Sequence, residues 1–166
     1  MNSKMAKAKP KFEIKSFGIY STWNEKDKAL PQILDFTTNI NAEIDIEFGF
    51  VLNVKHGRGI KLSFEIYHPN IHDKKGNPMD PFEGNVWVKN NDRDFYLGDT
   101  LWEPLEDKLG TWRFVLKYQN SIVAEKSFEV IGDNEMYVDE YKLFNTLSQK
   151  NKKRKTINNS VNESWQ

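Results

Sequence analysis

This chain of 166 residues contains no cysteine and no long apolar run. The lack of cysteine excludes a disulfide scaffold, thiolate metal sites and a cysteine nucleophile, and it fits a reducing compartment. No segment approaches the roughly 18 apolar residues of a membrane span. The basic start of the chain is followed by no apolar signal-peptide core. We therefore expect a cytoplasmic protein that is not attached to a membrane.

Net charge is also missing, because 24 Lys and Arg residues balance 24 Asp and Glu residues. The balance hides an uneven distribution: residues 1–15 and 149–166 are basic, whereas residues 16–148 hold 14 basic and 22 acidic residues. An acidic body argues against nucleic-acid binding by the domain, since phosphate contacts need clustered Lys and Arg. Contact of the basic tail Lys150–Lys155 with nucleic acid or anionic lipid stays open, but a solvated, disordered tail is the preferred interpretation.

What the chain does contain is period-two alternation of apolar and polar residues, which is typical of strands with one buried face. Every even position from Ile40 to Val54 is apolar, which predicts one long strand with a bend or bulge at Gly49. Residues 60–67 alternate in the same way after the turn His56–Gly59, and we predict that they form the hairpin partner of the first strand.

Further alternation predicts a β-hairpin over residues 110–130, which turns at Gln119–Ser121. Phe12 to Ile19 predicts another strand with a bulge near Ser16–Gly18, and residues 86–88 a short one. Residues 68–85 and 90–94 are predicted to be loops. The count of about seven strands favours an all-β fold, an immunoglobulin-like antiparallel β-sandwich.

The composition divides the chain into four predicted segments. Residues 1–11 form a disordered basic tail, and residues 12–131 form the β-sandwich domain. Residues 132–148 form a short helical extension, which Asp133 could cap. Residues 149–166 form a second disordered basic tail.

Several segments resemble an uncharacterised bacterial family that is catalogued as a domain of unknown function. They are residues 14–20, 30–33, 42–50, 67–69 and 110–130, so the resemblance covers roughly Phe12 to Val130. The closing unit, Gly110-Thr111-Trp112 followed by a hairpin that ends Phe128-Glu129-Val130, is also similar to the last strands of bacterial immunoglobulin-like domains. The resemblance implies a sandwich fold and a bacterial, cytoplasmic setting, and it implies no activity, cofactor or site residue.

Two groups of residues are candidates for a metal site. His68, His72 and Asp73 have suitable ligand atoms, but Pro69 excludes the helix that would bring the two imidazoles together, so an ordinary loop is preferred. The acidic segment 92–107 could supply calcium ligands, but the EF-hand spacing is absent and a solvated acidic surface is preferred. We expect no cofactor.

The tryptophans Trp23, Trp87 and Trp102 lie in or beside predicted loops, where aromatic side chains often form binding surfaces. The leading hypothesis is a non-catalytic interaction module that binds a protein or a small ligand through these rings or through a sheet edge. For the rings themselves, packing in the core or at its rim is the preferred interpretation, since tryptophan is highly buried on average. The alternative function is a small metal-dependent enzyme or metal-binding protein that uses the 68–73 loop and the 92–107 segment. The partner and the oligomeric state stay open.

Overall fold

The structure, a computed structural model, describes residues 5–133, and the regular secondary structure of this part of the chain is almost entirely β-strand. It contains one 3-10 helix, Glu106–Lys108, and nine strands: β1 (Lys11–Tyr20), β2 (Ile33–Asp35), β3 (Asn39–Asn41), β4 (Glu47–Lys55), β5 (Lys61–Tyr67), β6 (Phe82–Trp87), β7 (Asp92–Thr100), β8 (Gly110–Tyr118) and β9 (Ser121–Ile131).

The strands form two sheets. The order in the first sheet is β2-β1-β4-β7, and the order in the second is β3-β9-β8-β5-β6. All pairings are antiparallel except that of β3 with β9. The predicted all-β sandwich is confirmed, with nine strands in place of about seven.

The core lies between the sheets and is centred on the ring of Phe48. This ring packs edge-on against Trp112, Phe114 and Phe128, with centroid separations of 5.4, 5.4 and 5.5 Å. All four side chains are at most 1% exposed. Because Phe48 belongs to the first sheet and its three neighbours to the second, these contacts join the two layers.

The predicted single strand from Ile40 to Val54 is wrong. Ile40 lies in β3 of the second sheet, whereas β4 of the first sheet begins at Glu47. The chain crosses between the sheets through a turn in which Asp45 has φ +67°. Ile40 and the even positions of β4 are buried in the interior, whereas Ile44 in the turn is 47% exposed, so the apolar alternation does not mark one continuous strand.

The predicted pairing of β5 with β4 is also wrong. β5 pairs with β6 and β8 in the second sheet, since residues 56–60 carry the chain from one sheet to the other. The segment 92–94, which was predicted to be a loop, belongs to β7. By contrast, the β8–β9 hairpin is confirmed, and so is an irregularity in β1, where the register shifts between Ile14 and Ser16.

Three glycines stand side by side across the first sheet, although they are far apart in sequence. Gly18 of β1 lies opposite Gly49 of β4, and Gly49 lies opposite Gly98 of β7. A Cβ atom at Gly18 would lie 1.9 Å from the carbonyl oxygen of Asp35, and one at Gly98 would lie 2.0 Å from the hydroxyl of Tyr96. The glycine row therefore leaves room for neighbouring groups to lie close to the sheet.

The predicted helical residues 134–148 and the tail 149–166 lie outside the described residues. Within residues 5–133, no helix is long and apolar enough to cross a membrane.

Candidate functional site

A cleft of about 680 Å³ lies along β6 and β7, which are edge strands of the two sheets. Its volume falls in the range of ligand pockets in proteins. One wall belongs to the second sheet and includes Phe64, Gly84 and Val86. The other wall belongs to the first sheet and includes Phe95 and Leu97.

The cleft includes both faces of β7 and the edge of the strand between them. Phe95, Leu97 and Asp99 alternate with Tyr96, Gly98 and Thr100 along this strand, and all six residues line the cleft. Alternate residues of a strand point to opposite faces of the sheet. Both sets can line one cleft only if the edge of the strand lies inside it.

Glu47 is a buried carboxylate at one end of the cleft and is 4% exposed. Its Oε1 accepts a hydrogen bond from the Tyr96 hydroxyl at 2.6 Å, and its Oε2 accepts one from the Thr100 hydroxyl. None of the salt bridges among the described residues involves Glu47. Two neutral hydroxyls therefore satisfy its oxygens, and its charge has no cation beside it.

The glycine row explains how Tyr96 reaches Glu47. The phenol lies over Gly98, where a side chain would collide with it. The rings of Tyr20 and Trp23 pack against Tyr96, with centroid separations of 4.9 and 5.2 Å. Burial, together with the nearby carboxylate of Glu47, raises the pKa of Tyr96, so its hydroxyl remains a hydrogen-bond donor at neutral pH.

Asp99 is the second carboxylate of the cleft, and it lies on the inner face of β7. Burial raises the pKa of Asp99 to about 6, and the charge of Glu47 adds to this effect. The backbone N–H of Thr100 donates to Asp99 Oδ1 at 2.8 Å and opposes the shift. Asp99 thus titrates near neutral pH in a partly apolar surrounding.

Trp23 is held over the cleft by a structured loop, residues 21–32. The loop closes at its base, where Ser21 N–H donates to the Gln32 carbonyl at 2.8 Å. The indole N–H of Trp23 donates to the carbonyl of Ala29 at 3.1 Å. Asn24 and Glu25 of the same loop also line the cleft. The ring is therefore fixed through its N–H while it lines the cleft.

Comparison with known proteins identifies the family. Residues 8–130 match the profile of a family described as "Domain of unknown function (DUF3859)". The chain belongs to the DUF3859 family. The predicted resemblance to an uncharacterised family is thereby confirmed.

A solved structure supports the fold of this DUF3859 protein. An immunoglobulin-like protein from Pseudomonas aeruginosa is similar, with a TM-score of 0.61 and 22% sequence identity over 76% of this chain and 100% of that chain. This likeness shows that the fold is immunoglobulin-like, as predicted, and it shows the fold alone. No curated protein matches the chain.

The three candidate tryptophans of the DUF3859 domain lie in different places. Trp23 lines the cleft. Trp87 is 59% exposed on the outer face of β6, where the Lys61 ammonium lies 5.9 Å from its ring centroid. Trp102 is 38% exposed and lies under the ammonium of Lys108 at 4.2 Å. Only Trp23 of the three is brought to the cleft residues.

The candidate ligands of the 68–73 loop are engaged locally. His68 packs against Phe82 at a centroid separation of 4.8 Å, and its Nε2 lies 3.1 Å from the Asp80 carbonyl oxygen. His72 Nδ1 lies 2.7 Å from the carbonyl oxygen of Asn70. Asp73 accepts hydrogen bonds from the backbone N–H groups of Asn77 and Lys75, which lower its pKa. These contacts shape the loop.

The acidic segment 92–107 is divided by the fold. Asp92 and Asp94 share the side-chain amide of Asn53, each at 2.7 Å, at one end of β7. Asp99 lies near the other end, and Glu106 and Asp107 lie in the 3-10 helix. In residues 5–133, no three His, Asp or Glu side chains are placed so that they could hold one metal ion.

Sequence analysis missed Glu47, Tyr96 and Thr100 as site residues. Glu47 occupies an odd position of an alternating strand, which is the pattern of a solvent-facing residue. Its burial depends on Tyr96 and Trp23, which no short-range pattern places above it. The one available signal was Gly98 within an otherwise strand-forming stretch, since glycine in a strand often marks a close approach of another group.

Proposed function

We propose that this DUF3859 protein is a non-catalytic interaction module that binds a partner protein or a small ligand in the cleft between β6 and β7. The observation that carries the proposal is the cleft itself, which combines apolar walls with a few convergent polar groups. Such a combination is typical of binding sites. Trp23 adds an aromatic ring of the kind that is enriched in recognition surfaces.

The arrangement of the polar groups supports binding over catalysis. Both oxygens of Glu47 are occupied by hydroxyl donors of the same protein. Tyr96 keeps its proton because its pKa is raised. None of the three histidines, His56, His68 and His72, lines the cleft, so no imidazole stands ready to activate a nucleophile there.

The chemistry of the cleft also bears on the class of partner and its setting. Its carboxylates repel phosphate groups, which disfavours nucleic acid as the ligand. A bacterial, cytoplasmic setting is part of the proposal: it agrees with the absence of cysteine and with the Pseudomonas aeruginosa origin of the similar structure.

Site-specific photo-crosslinking tests this function. A photo-reactive amino acid replaces Asn85, which is exposed and lines the cleft. The full chain is then irradiated in the cells that produce it. We expect a discrete adduct, identified by mass spectrometry. The same photo-reactive residue at Ser127, which is exposed on β9 of the same sheet and does not line the cleft, is the matched control.

A blocking variant shows whether the adduct depends on the cleft. Val86→Trp places a large ring within it, whereas Val123→Trp makes the same change on β9. We expect only the first to abolish the crosslink. Native mass spectrometry of the same proteins extends the test to small ligands. Equal adducts from Asn85 and Ser127, or adducts and bound masses that Val86→Trp leaves unchanged, would contradict the proposal.

A further inference from the structure

We propose that the ligand of the cleft is an extended, basic peptide segment, which pairs with the free edge of β7 and places a Lys or Arg side chain beside Glu47, where the charge of Asp99 on the other face of the strand also attracts it. This inference rests on the proposed function and names the chemistry of its ligand.

The first argument is the edge of β7. Within the described residues, β7 pairs only with β4 and β6 pairs only with β5, so each strand leaves one side without a neighbour in its sheet. β7 spans nine residues, and six of them, residues 95–100, line the cleft. A strand edge offers unpaired N–H and C=O groups, and an added extended segment can satisfy them.

The second argument is charge complementarity. Among residues 5–133, the carboxyl groups that line the cleft are those of Glu25, Glu47 and Asp99, and no Lys, Arg or His of this part of the chain lines it. Glu47 is almost fully buried and has only hydroxyl partners. A buried carboxylate without a cation carries a desolvation cost, which a ligand's ammonium or guanidinium group would offset.

The third argument is the alternation of the lining. Apolar rings and aliphatic side chains, such as those of Phe64, Phe95 and Leu97, occupy the inner side of the cleft. The polar group of Glu47 and Tyr96 lies on the outer side of the same strand. An extended peptide also presents alternate side chains to opposite sides, so a segment that alternates apolar and basic residues matches both sides at once.

Asp99 offers an internal reporter of binding. Its pKa lies near 6 in the free protein because the carboxyl group is buried near another carboxylate. A cation beside Glu47 offsets the charge that helps to raise the pKa of Asp99, so this pKa falls and at pH 6 binding of a basic ligand releases a proton. An uncharged or acidic ligand would release none.

The experiment is isothermal titration of the full chain with capped heptapeptides. The probe alternates lysine with valine, and its partner alternates glutamate with valine. At near-physiological salt, we expect the lysine peptide to bind at least about tenfold more tightly. At pH 6, titrations in buffers of different ionisation enthalpy should reveal the release of a proton on binding.

Two further lysine peptides test whether the peptide backbone pairs with β7. Each is N-methylated on alternate residues, one in each of the two possible registers, and at least one of them should lose binding. n-Butylamine, which supplies an amine without a peptide backbone, should bind far more weakly.

Charge-removing variants locate the contact. Asp99→Asn keeps the oxygen that accepts from Thr100 N–H, and Glu25→Gln changes an exposed loop residue. Either variant should weaken the lysine peptide several-fold. Glu43→Gln removes the same charge from an exposed position that does not line the cleft and should leave the affinity unchanged. Thermal melting checks that each variant is folded.

The outcomes separate this inference from the proposed function. Equal affinity for both peptides, butylamine binding as tight as peptide binding, full affinity of both N-methylated peptides, or equal effects of Asp99→Asn and Glu43→Gln would overturn the basic-peptide inference. If the lysine peptide does not bind but the cleft-dependent crosslink is found, the module stands and its ligand is of another class. If neither is found, both proposals fall.

Discussion

At the scale of single residues, Glu47 shows how a charged side chain becomes buried in a sandwich without an ion pair. Its oxygens accept from Tyr96 and Thr100, and the phenol reaches it because Gly98 has no side chain. The Glu47 carboxylate depends on hydroxyl groups, so removing one leaves an unsatisfied buried acceptor. The hydrogen bond between the two side chains therefore holds Tyr96 in position as well as Glu47.

Asp99 makes stability depend on pH. In the unfolded chain this carboxyl group ionises near pH 4, whereas in the folded protein its pKa is about 6. The folded state therefore carries an increasing penalty as pH rises through this window, chiefly from burial of Asp99 and in smaller part from the charge of Glu47. We expect Asp99→Asn to gain stability over the wild type between pH 4 and pH 7, by on the order of 2–3 kcal/mol.

Urea unfolding at a series of pH values measures this difference. Glu43→Gln, which changes the net charge equally on an exposed loop, is the control. A stability difference between Asp99→Asn and wild type that does not change between pH 4 and pH 7 would show that Asp99 ionises normally in the folded protein.

The sequence predicted these residues poorly, for a physical reason. Asp99 belongs to the acidic 92–107 segment, which sequence analysis treated as a solvated surface or a calcium site. Its environment depends on the register of β7 against β4, which pairs residues about 50 positions apart. Local patterning reveals which face of a strand is buried, but it carries little information about the neighbour across the sheet.

At the scale of elements, the glycine row allows the backbones of neighbouring strands in the first sheet to approach closely. Gly18 has φ +138°, and a Cβ there would collide with the backbone of Asp35 in β2. Backbone atoms cannot move aside as a flexible side chain can. The pairing of β1 with β2 therefore depends on this glycine.

Gly18→Ala should lower the free energy of unfolding by roughly 2–5 kcal/mol, since it combines backbone strain with a steric clash. Gly76→Ala, at φ +83° with no atom within 4 Å of the added Cβ, is the matched control and should cost only about 1–2 kcal/mol. Chemical denaturation compares the two. Equal losses of unfolding free energy in the two variants would mean that backbone strain accounts for the whole effect and that β2 shifts to accommodate the new methyl group.

Strand prediction succeeded where neighbours in sequence are neighbours in the sheet. The β8–β9 hairpin was predicted because its turn, with positive φ at Gln119 and Asn120, connects two alternating segments directly. The prediction for residues 40–54 failed because the apolar alternation runs on through an exposed turn, in which Ile44 is 47% exposed, while the chain changes sheets. β7 was missed because it contains Asp92, Asp94 and Asp99, and aspartate is uncommon in strands.

At the scale of the whole molecule, the two sheets are held together by aromatic packing. Phe48→Ala removes the ring that contacts Trp112, Phe114 and Phe128, and it should lower the free energy of unfolding by about 3–5 kcal/mol. Phe36→Ala removes a ring that is 64% exposed and should cost less than about 1 kcal/mol. Urea titrations followed by fluorescence give both values. Similar losses would place the main inter-sheet packing elsewhere.

The parallel pairing of β3 with β9 has a consequence for how the protein folds. Asn39 lies opposite Glu129, so a strand of three residues must wait for a partner about 90 positions further along the chain. Closing so long a loop is entropically unfavourable until the β8–β9 hairpin exists as a template. We expect β3 to join the second sheet last. During synthesis, this edge of the sheet therefore stays unpaired, and accessible to strands of other chains, until Ile131 has left the ribosome.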